Sequence, residues 1–412
     1  MSSIRMLSIF GIYLVIFIDN MGASLIIPML TPITHDPISG LIVSGSEHFR
    51  NAIYGVSLGL FSMTMLFGAP LLGALSDSQG RKKILIYCLM GLFLSYILLA
   101  LALTLKSIIL FIIGRIIGGF FSGSVPVAQA AIIDITNEKD RAKYIGYIMF
   151  FVSLGYVAGP LIGGYLSSSE LNSIFNLMTP FIFVAVLSAI NVLILVLVFK
   201  DKKSSNIDKS KTQISNPINS IMLSIKAPGI RYTSLVLLLM LMGWNTFFQF
   251  IGLSLTRRLE FSQYEVSNYV SWIGIGLAFA FLFLIGFVMK YIRPKSMITL
   301  ALVLMTICIA GSLAPSVNAF LYLLAFVGAI GFGLAYSGLI AQLLQCVDAA
   351  NFGATMGMAA AIAAFSAGFS GIVFGFVAGF NIVAPMYSAL AFIVVALLLS
   401  STKENQQVST TP

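Results

Sequence analysis

The chain has 412 residues, 59% of them hydrophobic and 9% charged, with a net charge of +9 and a mean hydropathy of +1.01. A soluble domain of this length lacks the charge to cover its surface, so a large water-soluble core is excluded. The basic balance raises the question of a nucleic-acid partner, which the placement of the cations answers in the negative.

Apolar runs of roughly 18 to 25 residues recur along the whole chain, long enough to cross a hydrocarbon core of ~30 Å. Without water to satisfy the backbone, a span is a helix or part of a closed barrel. The continuous apolar runs exclude the alternating barrel pattern. Twelve helices are predicted, at 7–29, 51–75, 84–104, 108–133, 144–168, 178–199, 231–254, 267–289, 296–314, 318–346, 353–378 and 380–400. The first run follows Arg5 but is not a signal peptide. Asp19 interrupts it, no small-residue cleavage site follows, and many spans come after it.

The first span carries Asp19-Asn20-Met21-Gly22-Ala23-Ser24-Leu25-Ile26-Ile27-Pro28. Asp19 lies ~18 Å into the span at 1.5 Å per residue, near mid-membrane. An ionisable group there is costly and calls for a partner or a water-filled cavity. Between the second and third spans, Gly73-Ala74-Leu75-Ser76-Asp77-Ser78-Gln79-Gly80-Arg81-Lys82-Lys83 reads as a short charged loop punctuated by glycine. The fourth span holds Arg115, the one cation within a span, in Gly114-Arg115-Ile116-Ile117-Gly118-Gly119. Asp19 and Arg115 sit at similar depths. They read either as a proton-binding acid tuned by its cationic neighbour or as a permanent ion pair. The fifth span contains Gly155-Tyr156-Val157-Ala158-Gly159-Pro160-Leu161-Ile162-Gly163-Gly164. Small residues four apart make a flat packing face, and Pro160 frees a carbonyl and bends the helix.

Residues 200–230 form a polar linker rich in Lys, Ser and Asn, dividing the chain into 1–199 and 231–400, with a tail at 401–412. If the N-terminus is placed in the cytoplasm, only Arg50, Lys106, Arg257 and Arg258 fall outside, and apart from Arg115 every other Lys and Arg lies inside. That asymmetry puts both termini in the cytoplasm and explains the basic balance without nucleic acid. Cys88, Cys308 and Cys346 fit neither a metal site nor a disulfide framework and read as packing residues. His35, His48, Glu260 and Glu265 are expected as solvated groups at the outer ends.

The two halves read as diverged copies. A shift of about 213 residues places Gly73 on Gly286 and the charged turn 76–83 on 289–296. Shifts of 213 or 214 place Gln129 on Gln342 and Asp134 on Asp348, and Gly155, Gly159 and Gly163 fall near Gly368, Gly371 and Gly375. In the second copy Lys290 replaces Asp77 and Pro294 replaces Arg81, so any work of the charged turn belongs to the first half. Parallel repeats around a central cavity are a transporter architecture.

The 73–83 segment resembles the G-x-x-x-D-x-x-G-R-[KR] signature of the major facilitator superfamily at every specified position. The 155–164 segment resembles its antiporter signature G-x-x-x-G-P-x-x-G-G. The 19–28 segment is similar to the D-x-x-G-x-x-x-x-x-P pattern of tetracycline–proton antiporters, and Arg115 with Gly119 to the fourth-helix R-x-x-x-G pattern, lacking its usual Gln. The resemblance covers nearly the entire chain. It implies an all-α membrane protein of twelve helices in two pseudo-symmetric six-helix bundles. It further implies a conformational gate of Gly73, Asp77, Gly80, Arg81 and Asp134. In it, Arg81 pairs with Asp134 and Asp77 faces the turn before Gly353.

On the helices that line the cavity of that fold lie Gln129, Trp244, Asn245, Gln249, Gln342 and Gln345. Trp244, Asn245 and Gln249 are expected to form a mixed aromatic and amide wall for substrate, or else to bond between helices. The implied function is proton-coupled export of a small, partly apolar solute (drug, metabolite or siderophore). An uptake symporter, or a non-transporting sensor or scaffold, is the alternative. No G-x-x-x-x-G-K-[ST] nucleotide motif is present, and the chain is not read as an enzyme. No cofactor or metal is expected. The expected partners are the substrate, protons and lipid, around a monomer in the cytoplasmic (inner) membrane.

Overall fold

The computed structural model of the chain describes residues 3–135, 141–169, 171–199, 217–218, 221–222, 230–314, 318–347 and 352–401. Among the described residues it holds twelve helices long and apolar enough to cross a membrane. They are α1 (Leu7–His35), α2 (Glu47–Gln79), α3 (Arg81–Leu105), α4 (Ile108–Ile132), α5 (Gly146–Leu166), α6 (Thr179–Val198), α7 (Arg231–Leu259), α8 (Gln263–Tyr291), α9 (Pro294–Leu313), α10 (Ala319–Gln345), α11 (Ala354–Phe380) and α12 (Ala384–Ser401). Most of the linker expected at 200–230, the tail 401–412 beyond Ser401, and Asp348 lie outside the described residues.

Local chemistry sets the helix ends. The Ser46 hydroxyl accepts from Phe49 N, and that of Ser107 from Leu110 N. Ser262 and Glu265 form a reciprocal capping box at the start of α8. Within the first half α1 packs on α5, α3 on α4 and α6, and α2 on α4. In the second half α9 packs on α10, α7 and α9 on α12, and α8 on α10. With an even number of spans, both ends of the described chain share one face, here the terminal face.

Two helix pairs make most of the contact between the bundles, α2 with α11 and α5 with α8. Both seams are tight toward the face opposite the termini. A Cβ added to Gly55 would sit 2.3 Å from Gly371 O, and one added to Gly375 would sit 2.5 Å from Gly55 Cα. Ser271 donates to Val157 O at 3.2 Å, Tyr165 to Tyr264 at 3.0 Å, and Gln263 to Ser167. Nothing lies within 4 Å of a Cβ built on Gly73, Gly146, Gly286 or Gly357, near the terminal-face ends of α2, α5, α8 and α11. Among the described residues, the bundles therefore meet on one face and stand apart on the other.

Three departures from the sequence reading have local causes. The segment 73–83 is mostly helix rather than loop. α2 runs through Asp77 to Gln79, and α3 begins at Arg81. The turn is Gly80 alone, at φ 100° and ψ 144°, a backbone that residues with a Cβ rarely adopt. The fourth span is broken, running as Ile108–Phe121 and Ser124–Ile135 around Ser122 and Gly123. α8 contains a π turn at Ala280–Leu284.

Candidate functional site

Asp19 lies in the middle of α1 and is 3% exposed. Its carboxylate is held by the break in α4. Ser124 Oγ donates to Oδ2 at 2.5 Å, Ser122 Oγ donates to Oδ1, and the Ser124 backbone amide also faces the group. Asp19 thus satisfies the free N-terminus of the half-helix Ser124–Ile135 from another helix, as a capping side chain would. The first half of α4 ends at Ser122, whose amide is shared between Gly118 O and Gly119 O, and α2 presses on the break. A Cβ on Gly123 would sit 2.5 Å from Ala69 Cα, and one on Gly68 would sit 2.1 Å from Phe120 O. Gly22 follows Asp19 by three residues on the same face, and there only a glycine leaves room for the Tyr96 hydroxyl.

Arg115 is equally buried but faces elsewhere. Its Nε donates to Ser57 O at 2.8 Å, and its guanidinium lies 4.3 Å from the Phe61 ring centroid. Among the described residues no cation lies within 4 Å of Asp19, so the expected ion pair with Arg115 is absent. The reason is geometric. Arg115 belongs to the half of α4 that packs on α2, whereas Asp19 meets the far side of the break.

The antiporter segment supports the site from behind. Gly155, Gly159 and Gly163 press on Asn20, Met21, Ser24 and Leu25 of α1, and Ser24 donates to Gly155 O at 3.2 Å. Gly164 meets Ser267 of α8. Pro160 leaves the Tyr156 carbonyl without its helix donor, and that carbonyl abuts Gly274 across the seam.

The charged cluster forms within the first half. Arg81 Nε bonds Asp134 Oδ2 at 3.2 Å, and its Nη1 meets Asp77 Oδ1 and Ser76 Oγ, each at 2.5 Å. Asp77 is thus engaged by Arg81. The turn before Gly353, its expected neighbour, lies outside the described residues. Gly73 faces open space, and Gly80 makes the turn.

The second-half residues do not form one wall. Trp244 stacks on Phe332 of α10 at 4.8 Å inside its own bundle. Gln249, one and a half turns further on, lies in the α2–α11 seam. Its Nε2 donates to Ala367 O at 3.0 Å, Tyr54 donates to its carbonyl at 2.7 Å, and its Oε1 is buried without a partner. Five residues rotate a helix by about 140°, which separates these two side chains. Asn245 is half-buried between them, and Gln129 is half-buried on the lower half of α4. Gln342 lines a small crevice with Tyr232, Lys295 and Ser400 at the terminal-face ends of α7, α9 and α12, away from Asp19.

The opposite face carries a second polar cluster in place of solvated ends. The His35 side chain is 7% exposed, and its Nε2 bonds Asn51 Oδ1 at 3.0 Å. Asn51 in turn donates to Ala378 O of α11 at 3.1 Å. Glu47 pairs with Arg257 across the bundles, and His48 rests on Phe380. Glu260 remains exposed as expected, while Glu265 closes the α8 capping box. Ser122 and Ser124 are the site residues missed from sequence. Their signal was a Ser-Gly-Ser triplet in mid-span followed by Pro126.

Twelve spans in two bundles that meet on one face, around a buried acid, define a membrane transporter rather than an enzyme. The sequence profile of the Major Facilitator Superfamily matches residues 10–371, and the chain belongs to that family. It is 34% identical over 194 residues to a class H tetracycline resistance protein of Pasteurella multocida, covering 47% of this chain and 44% of that one. A class B tetracycline resistance protein of Escherichia coli is 32% identical over 197 residues, 48% and 45% of the two chains. The matches thus span less than half the length of these relatives. Among solved structures, a bacterial homolog of the human lysosomal transporter Spinster, inward-facing and unoccupied, superposes with a TM-score of 0.76 at 16% identity over 97% of each chain. A D-xylose–proton symporter does so at 0.73 and 15% over 97% of each chain. At such identities the likeness is one of fold.

Proposed function

We propose that the chain is a secondary active transporter that exports a small, partly apolar solute in exchange for protons, by alternating access. The observation that carries this reading is Asp19, buried in mid-span, held by two hydroxyls and without a cation within 4 Å among the described residues. A carboxylate in that position is costly while ionised, and a proton or a cationic solute removes the cost. Serine hydroxyls donate to a carboxylate and accept from a carboxylic acid, so both forms find partners, and the ionised form is held more strongly.

The excess of Lys and Arg supports a reading in which the terminal face is cytoplasmic, both termini are inside and the membrane is the inner one. The open terminal face is then the inward-facing state. Residues 1–199 and 231–400 act as the rocking units joined by the 200–230 linker, in a monomer. Export is favoured by the 155–164 segment and by relatives named as tetracycline resistance proteins. A potential of 100 mV is worth ~2.3 kcal/mol per charge, roughly a fifty-fold gradient for each proton returned. In proteoliposomes, Asp19→Asn is expected to abolish proton-driven transport and to retain solute binding; intact proton coupling in that variant overturns the reading. In everted vesicles with an acidified lumen, solute accumulates in the lumen if the chain exports. Solute driven out of the lumen identifies the symporter.

A further inference from the structure

The half-helix Ser124–Ile135 joins two clusters treated so far as separate. At its N-terminal end Ser122 and Ser124 hold the carboxylate of Asp19. At its other end Asp134 is held by Arg81, which also grips Asp77 and Ser76 at the end of α2. Twelve helical residues are a stiff rod of ~18 Å, spanning from mid-membrane to the terminal face. The rod is detached from the upper half of α4 at Ser122–Gly123, where backbone contact with Ala69 of α2 makes a fulcrum.

We propose that this half-helix is the lever that couples protonation of Asp19 to the terminal-face gate, and that Ser122 and Ser124 are its positioning residues. This rests on the proton-coupled reading of Asp19 given above. The ionised carboxylate caps the half-helix and fixes it in the arrangement seen with the terminal face open. Protonation replaces charge-assisted hydrogen bonds by neutral ones and removes the attraction between an anion and a helix N-terminus. The rod is then free to turn about Gly123, carrying Asp134 and with it Arg81. The proton enters from water on one face and leaves to water on the other, so charge balances over the cycle. The ionised form belongs with the open terminal face, and so acid conditions favour its closure.

The test is a distance across the terminal face. Nitroxides are placed at Ser78→Cys and Met356→Cys, both on exposed side chains, in a Cys346→Ser background. Pulsed EPR on the full chain in nanodiscs then reads the ratio of open to closed forms as pH is varied. In the otherwise native chain the ratio rises with pH. In Ser122→Ala/Ser124→Ala that rise is at least about tenfold smaller, since each hydrogen bond to a charged group is worth ~1.5–3 kcal/mol. Ser122→Thr/Ser124→Thr, which keeps both hydroxyls, restores it. Asp134→Asn, which cuts the far end of the rod, also flattens it and guards against a misfolded serine variant. A full pH response in the alanine variant, with none in Asp19→Asn, overturns the lever and leaves the proton site standing. A full response in Asp19→Asn itself overturns the proton reading and the lever with it.

Discussion

Gly55→Ala tests how the bundles are sealed. A Cβ at Gly55 would lie 2.3 Å from Gly371 O, 2.3 Å from Gly375 Cα and 2.8 Å from Gly375 N. All three are backbone atoms, so no rotamer change relieves the contact, and α2 must move from α11 by roughly 1 Å to restore van der Waals distance. Overpacking of this kind costs ~1–3 kcal/mol. Against this runs the helix preference of Ala over Gly, ~0.5–1 kcal/mol. Both open forms keep α2 helical, so that gain cancels between them and the native chain is the reference. Relative to that reference, Gly55→Ala raises the population open on the opposite face roughly 5- to 150-fold, the Boltzmann equivalent of ~1–3 kcal/mol. Nitroxides at Val43→Cys and Asn381→Cys, in the Cys346→Ser background, read that population by pulsed EPR. Identical distance distributions for Gly55→Ala and the native chain refute the claim that backbone contact sets the seam.

Two further outcomes follow from the buried polar groups. His35→Ala removes the 3.0 Å bond to Asn51, the residue that reaches Ala378 O on α11. The loss of ~1 kcal/mol opens the opposite face roughly fivefold more often, read by the same nitroxide pair, whereas a solvated His35 predicts no change. Arg115→Lys loses the 4.3 Å stack on Phe61 and the Nε donor to Ser57 O. It is expected to lower the thermal midpoint, by ~1–2 kcal/mol of stability, while the pH profile of transport stays in place. A displaced pH profile with unchanged stability assigns Arg115 to proton coupling.

The spans and their number were legible because a ~30 Å apolar slab imposes one length on every crossing helix. Where a helix ends was less so. Asp77, Ser78 and Gln79 look like loop residues, yet α2 carries them to the membrane edge and stops only at Gly80. The burial of Asp19 in mid-span was readable from its place in the first apolar run. Its partner was not, because the break in α4 is invisible to hydropathy. Asp19 meets Ser122 and Ser124, about two turns along α4 from Arg115, which bonds Ser57 O on α2 instead. The glycine ladders carry the same lesson. Gly371 and Gly375 sit one residue earlier in the repeat than Gly159 and Gly163. Gly368 is in register with Gly155, yet it meets Met63 of α2 across the seam while Gly155 meets Asn20 and Met21 of α1, so register in the repeat does not fix the neighbour.

The seam between α2 and α11 also has an electrical meaning. Gly55, Gly59, Gly371 and Gly375 bring main chain against main chain, with Ile372 and Gln249 packed beside them. A file of water molecules cannot thread such a contact, and without water there is no wire along which protons could hop. The absence of side chains at these four positions therefore acts as insulation against an ion leak on this face.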